Sequence, residues 1–150
     1  MKYIKFLVIF IFISGCGFSP IYKGITNVDF GISLKDINGD RDLNNFLNSN
    51  LNKYLKVNSD KIFDISINSR YNKTVISKDV TGNATDYELS VTVHFDITSK
   101  DLNKKIVLSE KVTTKKMDNN FDQENYERNT KKNFANSITN KLIRRLSQFK

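Results

Sequence analysis

Apolar and polar residues alternate along several segments of the chain, which is the pattern of strands with one buried side. The predicted strands cover residues 28–35, residues 63–68 with a less regular extension over 70–80, residues 87–97 and residues 105–113. Predicted turns lie at 38–40, 81–83 and 99–103. Because short turns join the last three strands, these strands are expected to form an antiparallel meander.

Two further segments have the spacing of amphipathic helices. Residues 42–55 place one apolar stripe on a helix, made of Leu43, Phe46, Leu47, Leu51, Tyr54 and Leu55. Asparagines fill the outer face of this helix and lower its intrinsic propensity, so it is expected to need a sheet to pack on. Asp40 or Asp42 is expected to cap it. The second helix covers residues 126–149, with a stripe made of Tyr126, Phe134, Ile138, Leu142, Leu146 and Phe149.

The element order is strand, helix, three strands, helix, and each element has one apolar side. Elements of this kind must bury those sides against one another. The sequence therefore predicts an α+β fold: a two-layer sandwich with two helices packed on one face of a mostly antiparallel four-stranded sheet. We expect residues 28–150 to form this single domain.

The first residues of the chain predict export. Lys2 and Lys5 precede eight consecutive apolar residues, 6–13, which are followed by Ser14 and Gly15. A charged start, an apolar core and small residues are the parts of a secretory signal peptide. The apolar run is much shorter than the ~20 residues that cross a bilayer; a buried core helix is a further alternative. We predict that residues 1–15 are a signal peptide.

Residues 13–16, Ile-Ser-Gly-Cys, resemble the lipobox of bacterial lipoproteins, although Ile13 replaces the usual Leu. In such signals the Cys16 thiol receives a diacylglycerol and the new amino group is commonly acylated. Several acyl chains anchor a protein firmly, since each buried methylene adds ~0.8 kcal/mol. The chain has one cysteine, so no disulfide can form within it. Cys16 is therefore predicted as the lipid anchor and 16–27 as an acylated tether; a structural or redox cysteine is the alternative.

The charge of the chain is basic. Removing Lys2 and Lys5 leaves 22 basic against 16 acidic residues, a net charge of +6 on the mature chain. A basic balance favours an anionic partner. Export argues against nucleic acid and leaves a membrane surface or an anionic glycolipid, while an ordinary solvated surface explains the charge equally well.

Residues that carry enzyme chemistry are scarce. His94, the one histidine, lies on the polar side of its predicted strand, and the carboxylates are scattered. No phosphate-binding loop, nucleophile elbow or Cys-x-x-Cys pair occurs in the sequence. We expect a binding or assembly protein that is not an enzyme and has no cofactor and no metal site.

The start of the predicted mature chain, Cys16 followed by Gly-Phe-Ser-Pro-Ile-Tyr, resembles the start of the LptE family of lipopolysaccharide-assembly lipoproteins, especially its alphaproteobacterial form. The element order and the closing segment 138–149 are similar as well. The resemblance implies two helices on a four-stranded sheet and an outer-membrane lipoprotein that faces the periplasm. It also implies that the domain plugs the LptD β-barrel, supports assembly of that barrel and binds lipopolysaccharide.

The resemblance further implies that lipopolysaccharide contacts lie on loops and strand ends. Arg70, Lys73 and Lys78 occupy the least regular strand segment and are the candidate contacts; ordinary solvated positions are the alternative for each. The alternative function is a periplasm-facing lipoprotein that serves a transporter or binds a solute. That function predicts a sizeable pocket in the sandwich and no barrel partner.

Overall fold

The computed structural model describes residues 28–55 and 59–149. The predicted signal peptide (1–15), the predicted tether (16–27) and Cys16 itself lie outside the described residues.

Four strands and two helices make up the described chain. They are β1 (Gly31–Gly39), α1 (Arg41–Leu51) with a following 3₁₀ turn (Asn52–Tyr54), β2 (Ile62–Lys78), β3 (Ala84–Ser99), β4 (Leu102–Lys115) and α2 (Asn120–Leu146). The strand order in the sheet is β1-β2-β3-β4. The β1–β2 pair is parallel and the other two pairs are antiparallel. The predicted α+β fold, with a mostly antiparallel four-stranded sheet and two helices, is confirmed.

The first strand begins and ends later than its alternation predicts. Val28 and Phe30 are buried but precede β1, whereas the strand continues to Gly39. A bulge between Leu34 and Ile37 explains why the strand continues past its predicted end, because two residues of β1 lie opposite one residue of β2 there. A bulge of this kind breaks the period of two on which the prediction depends.

The reversal from β1 into α1 leaves no room for a side chain. Gly39 has a φ of +110°, and a Cβ atom at this position would lie 1.8 Å from the carbonyl oxygen of Ser69. Asp40 follows, and its carboxylate accepts a hydrogen bond from the backbone N–H of Leu43 at 2.9 Å. Asp40 is therefore the N-cap of α1, which satisfies one of the unpaired amides of the first turn.

One apolar layer lies between the sheet and the helices. Its most deeply buried large side chains come from both helices and from β2 and β3: Leu43, Leu47, Leu51, Phe63, Ile65, Ile67, Leu89, Phe95, Ile97, Ile138, Leu142 and Ile143. The intervening strand residues point to the other face of the sheet, which is mostly polar. Because the Asn-rich α1 has a weak intrinsic preference for helix, this burial is what holds it in place.

The second helix is longer at its start than predicted. It begins at Asn120, with Asn119 as the N-cap, and ends at Leu146. Phe149 lies beyond the helix and packs edge-on against Phe63, with ring centroids 6.3 Å apart. The apolar stripe begins late because the first half of α2 presents polar side chains to the sheet.

The directions of the elements give the molecule two distinct ends. β1, β2 and β4 run one way, and β3 and both helices run back. One end, called the tether end below, therefore collects residues 28–30, 52–55, 59–62, 99–104 and 144–149. The described chain starts there, at Val28. The turn between β2 and β3 lies at the opposite end.

Candidate functional site

The β2–β3 hairpin projects beyond the rest of the sheet. β1 ends at Gly39, opposite Ser69, while pairing of β2 with β3 continues to Lys78 and Ala84. Residues 72–83 are all exposed. We call residues 72–88 the hairpin arm. About nine residues of β2 extend past the end of β1, which corresponds to roughly 30 Å of strand.

The turn at the end of the arm is ordered by Asp79. Its Oδ1 atom accepts hydrogen bonds from the backbone N–H of Thr81 at 2.8 Å, from the Thr81 hydroxyl at 2.6 Å and from the backbone N–H of Asn83 at 2.9 Å. These bonds, led by that of the Thr81 hydroxyl, hold the pKa of the Asp79 carboxyl below its ordinary value. Gly82 supplies the positive φ that the turn requires. The arm therefore ends in a defined turn.

The arm exposes apolar side chains as well as cations. Val75 is 43% exposed, Ile76 is 50% exposed and Val80, at the turn, is fully exposed. Lys78 is exposed beside them and forms no ion pair within the described chain. Apolar groups beside an unpaired cation suit an amphipathic anionic ligand or a protein partner.

At the base of the arm, a polar network joins β2 to α2. Glu127 accepts hydrogen bonds from the Tyr71 hydroxyl at 3.2 Å, from Lys73 Nζ at 2.5 Å and from Gln123 Nε2 at 2.9 Å. The ammonium group of Lys73 also lies 4.2 Å from the ring centroid of Tyr87. Both strands of the arm are thereby tied to the first half of α2.

The surroundings of Glu127 set the protonation of the network. Partial burial alone would raise the pKa of Glu127, but hydrogen bonds from Lys73 and Gln123 outweigh it and hold this pKa below its ordinary value. Burial, and next the negative charge of Glu127, raise the pKa of the Tyr71 hydroxyl far above its ordinary value. At neutral pH, Glu127 is therefore ionised and Tyr71 is a hydrogen-bond donor.

A second ion pair lies one helical turn further along α2. Lys131 Nζ is 3.0 Å from Asp40 Oδ2 and 3.6 Å from Asp42 Oδ2, and it lies 4.4 Å from the ring centroid of Tyr71. The N-cap of α1 is thus shared with a cation from α2. Tyr71 contacts both ion pairs and connects them.

The three candidate residues from the sequence lie along one strand but do not form one cluster. Arg70 is on the face of the sheet away from the helices, opposite Thr92 of β3. Lys73 is on the helix side and is paired with Glu127. Lys78 is the last residue of β2, near the turn of the arm. A single ligand that contacts all three must therefore reach both faces of the sheet.

The Glu127 network is absent from the sequence predictions. Its signal in the sequence is the spacing of Gln123, Glu127 and Lys131, which repeats every four residues and aligns with Phe134 and Ile138. One helix face therefore changes from polar to apolar along its length. The apolar pattern by itself predicted only the second half of this face, which contains Phe134 and Ile138.

Other features of the described chain do not add catalytic or metal chemistry to the site. No group of three or more metal-ligating side chains occurs within residues 28–55 and 59–149. A shallow groove of about 420 Å³, open to solvent, lies between the end of β1 and α1 and is lined by Ile37, Asn38, Gly39, Arg41, Asn44, Asn45 and Asn48. No helix of the described segments is long and apolar enough to cross a membrane.

The chain is similar in structure to several lipoproteins of known structure. Rare lipoprotein B from Shewanella oneidensis has a TM-score of 0.55 at 13% identity and covers 74% of this chain and 94% of its own. A minor lipoprotein from Acinetobacter baumannii has a TM-score of 0.50 at 20% identity, with coverages of 79% and 91%. A lipoprotein from Caulobacter crescentus has a TM-score of 0.51 at 14% identity, with coverages of 84% and 92%. At these low identities, it is the TM-scores that show a shared fold.

The family itself is shown by sequence. The family model of LptE, described as lipopolysaccharide-assembly, matches residues 31–147, which is most of the chain. The chain belongs to this family, and the resemblance seen in the sequence is confirmed. A search of the curated proteins finds no match to the chain.

Proposed function

We propose that this protein is an outer-membrane lipoprotein that faces the periplasm and partners an LptD-type β-barrel. In this proposal residues 1–15 are removed, Cys16 carries the lipid anchor, 16–27 form the tether and 28–150 form the functional domain. The domain acts as a plug in the barrel and as a lipopolysaccharide-binding subunit. Its role is assembly and binding, without a catalytic step.

The observation that carries the proposal is the family match over residues 31–147. The hairpin arm adds support from the structure, because an ordered projection is suited to reach into a partner. Its exposed Val75, Ile76 and Val80 offer apolar contacts. Its cations offer partners for the phosphates of lipopolysaccharide, since ammonium and guanidinium groups form charge-assisted hydrogen bonds with phosphate.

The three candidate contacts differ in what binding requires of them. Arg70 and Lys78 are exposed and form no ion pair within the described residues, so phosphate can approach them directly. Lys73 has to exchange the carboxylate of Glu127 for phosphate. We therefore propose that Arg70 and Lys78 contribute most to lipopolysaccharide binding and that Lys73 contributes less.

Isolation of the partner tests the main proposal. The lipidated protein is purified from outer membranes in mild detergent, and the proteins that accompany it are identified by mass spectrometry. We expect an LptD-type barrel in stoichiometric amount. Clean absence of such a barrel would refute the partnership and favour the auxiliary-module alternative.

Charge reversal tests the lipopolysaccharide contacts. The triple variant Arg70→Glu, Lys73→Glu, Lys78→Glu is compared with a control of equal charge change at the tether end, Lys100→Glu, Lys104→Glu, Arg145→Glu. We expect weaker lipopolysaccharide binding in the first variant only, with circular dichroism unchanged in both. Equal binding by the two variants would remove the arm from the ligand site.

A further inference from the structure

The groove at the carboxyl end of β1, where the chain turns into α1, has a polar lining. Its volume is about 420 Å³. Four asparagines and one arginine form most of the lining: Asn38, Asn44, Asn45, Asn48 and Arg41. Ile37 and Gly39 complete it, and none of the described residues that line the groove is acidic.

The strand–helix–strand unit at the start of the domain sets the position of the groove. β1 and β2 are parallel, and α1 connects them. Beside parallel strands, ligands bind outside the carboxyl ends, next to the first turn of the following helix, whose dipole favours negative charge. The carboxylates of this turn, Asp40 and Asp42, are paired with Lys131 and do not line the groove.

Asn44 is the buried residue of the groove. It is 9% exposed, and its Oδ1 atom accepts a hydrogen bond from the Ser69 hydroxyl at 2.7 Å. Its Nδ2 atom has no hydrogen-bond partner within residues 28–55 and 59–149, yet it is not shut off from solvent as the unpaired Thr139 hydroxyl is. Because Asn44 lines the groove, this amide reaches solvent there. A fixed donor without a partner is a feature that a ligand can satisfy.

The lining matches the chemistry of a sugar that carries a carboxylate. A side-chain amide has a donor and an acceptor, as a sugar hydroxyl does, so the two can pair in either direction. The exposed amides of Asn45 and Asn48, one helical turn apart, offer such pairs beside the free donor of Asn44. Arg41 adds a guanidinium group, which can pair with a carboxylate through two parallel hydrogen bonds.

Other classes of ligand fit this lining less well. An acyl chain would leave the amides without hydrogen-bond partners, which costs free energy. A nucleobase would find no aromatic side chain to stack on among the described residues that line the groove. A hydroxylated anion satisfies both the amides and the guanidinium group.

We propose that the groove binds one acidic sugar of a glycolipid, with the sugar hydroxyls on the asparagine amides and the sugar carboxylate on Arg41. This inference rests on the proposed function, because a lipopolysaccharide-binding subunit meets acidic sugars in the oligosaccharide core of its ligand. Groove and arm are neighbours in the sheet, since Gly39 pairs with Ser69 and the arm begins at residue 72. The cations of the arm hold phosphates, and the groove holds a sugar of the core.

Two ligands separate the groove from the phosphate contacts. Lipopolysaccharide with an intact inner core is compared with lipid A prepared from it by mild acid hydrolysis, which keeps phosphates and acyl chains but lacks the acidic sugars. Their affinities for the mature lipidated protein are measured in mild detergent by microscale thermophoresis. We expect the wild type to bind the core-containing ligand about ten-fold more tightly, as one charge-assisted contact supplies.

Substitution of exposed lining residues tests the groove itself. The groove variant combines Arg41→Gln, Asn45→Ala and Asn48→Ala. The matched control makes the same replacements at exposed positions of α2: Arg128→Gln, Asn129→Ala and Asn133→Ala. We expect the groove variant to lose the preference for the core while it binds lipid A as the wild type does. The control should keep the preference, with circular dichroism unchanged in both variants.

The outcomes distinguish failure of the groove from failure of the proposed function. If the wild type binds neither ligand, lipopolysaccharide binding is refuted and the groove proposal with it. If the wild type binds both ligands equally, or if the groove variant keeps the preference, lipopolysaccharide binding stands and only the groove proposal is overturned. Loss of the preference in the control variant also overturns it, because the change of charge alone then explains the effect.

Discussion

The hydroxyl of Tyr71 donates a hydrogen bond to Glu127 at 3.2 Å, which joins the middle of β2 to the first half of α2. The ring of the same tyrosine lies under the ammonium group of Lys131, which is paired with the N-cap of α1. Sheet and both helices thus meet at one side chain. The hairpin arm begins immediately beyond this point, so its direction depends on these contacts.

Removal of the Tyr71 hydroxyl should lower stability modestly. Tyr71→Phe keeps the ring under Lys131 and deletes one hydrogen bond to a charged acceptor, so we expect a loss of about 1.5–3 kcal/mol in the free energy of unfolding. Urea denaturation measures it. Tyr126→Phe, also on a half-buried tyrosine, is the control and should change little. Equal effects of the two variants would contradict a specific role for the Tyr71 hydroxyl.

Glu127 should make stability depend on acid pH. Burial alone would raise the pKa of Glu127, but the hydrogen bonds from Lys73 and Gln123 outweigh burial. The pKa in the folded chain therefore lies below the ordinary value of 4.5. The contribution of ionised Glu127 to the free energy of unfolding is therefore complete above the pKa that Glu127 has in the unfolded chain. This contribution is lost as the pH falls through its pKa in the folded chain. The free energies of unfolding of wild type and Glu127→Gln, measured in urea from about pH 7 downwards, should converge on acidification. A constant difference would show that Glu127 acts by packing instead.

The two glycines with positive φ should respond differently to alanine. A Cβ at Gly39 meets the Ser69 carbonyl oxygen at 1.8 Å, whereas a Cβ at Gly82 meets no atom within 4 Å. Gly82→Ala is expected to cost about 1–2 kcal/mol from backbone strain alone. Gly39→Ala adds a steric clash with the backbone and should cost at least about 4 kcal/mol. Chemical denaturation of both variants compares them; similar losses would mean that β2 moves easily away from Gly39.

Replacement of Thr139 should increase stability. Its side chain is 1% exposed, and its hydroxyl has no hydrogen-bond partner within residues 28–55 and 59–149. An unpaired buried hydroxyl costs about 1–3 kcal/mol, so Thr139→Val should raise the free energy of unfolding by about 1 kcal/mol. Thr113→Val, on an exposed strand position, is the control and should have little effect. A destabilised Thr139→Val variant would reveal a partner for the hydroxyl.

The sequence by itself determined the layers of the fold. Alternation placed the buried residues of β2, β3 and β4 on one face, and the spacing of Ile138, Leu142 and Leu146 placed the core side of α2. These signals suffice because burial acts on each element separately: a strand with one apolar side must turn that side inward. The candidate cap Asp40 is equally local, since it bonds the backbone only three residues away.

Tertiary structure alone decided which polar groups meet. Lys73 and Glu127 are 54 residues apart, and Lys131 and Asp40 are 91 apart, so no local pattern pairs them. The parallel pairing of β1 with β2 likewise depends on where α1 returns the chain. Burial specifies faces, whereas partners and strand directions follow from how whole elements pack. This is why the sequence placed Arg70, Lys73 and Lys78 on a strand, whereas only the fold showed that Lys73 is ion-paired. Arg70 and Lys78 form no ion pair within the described residues.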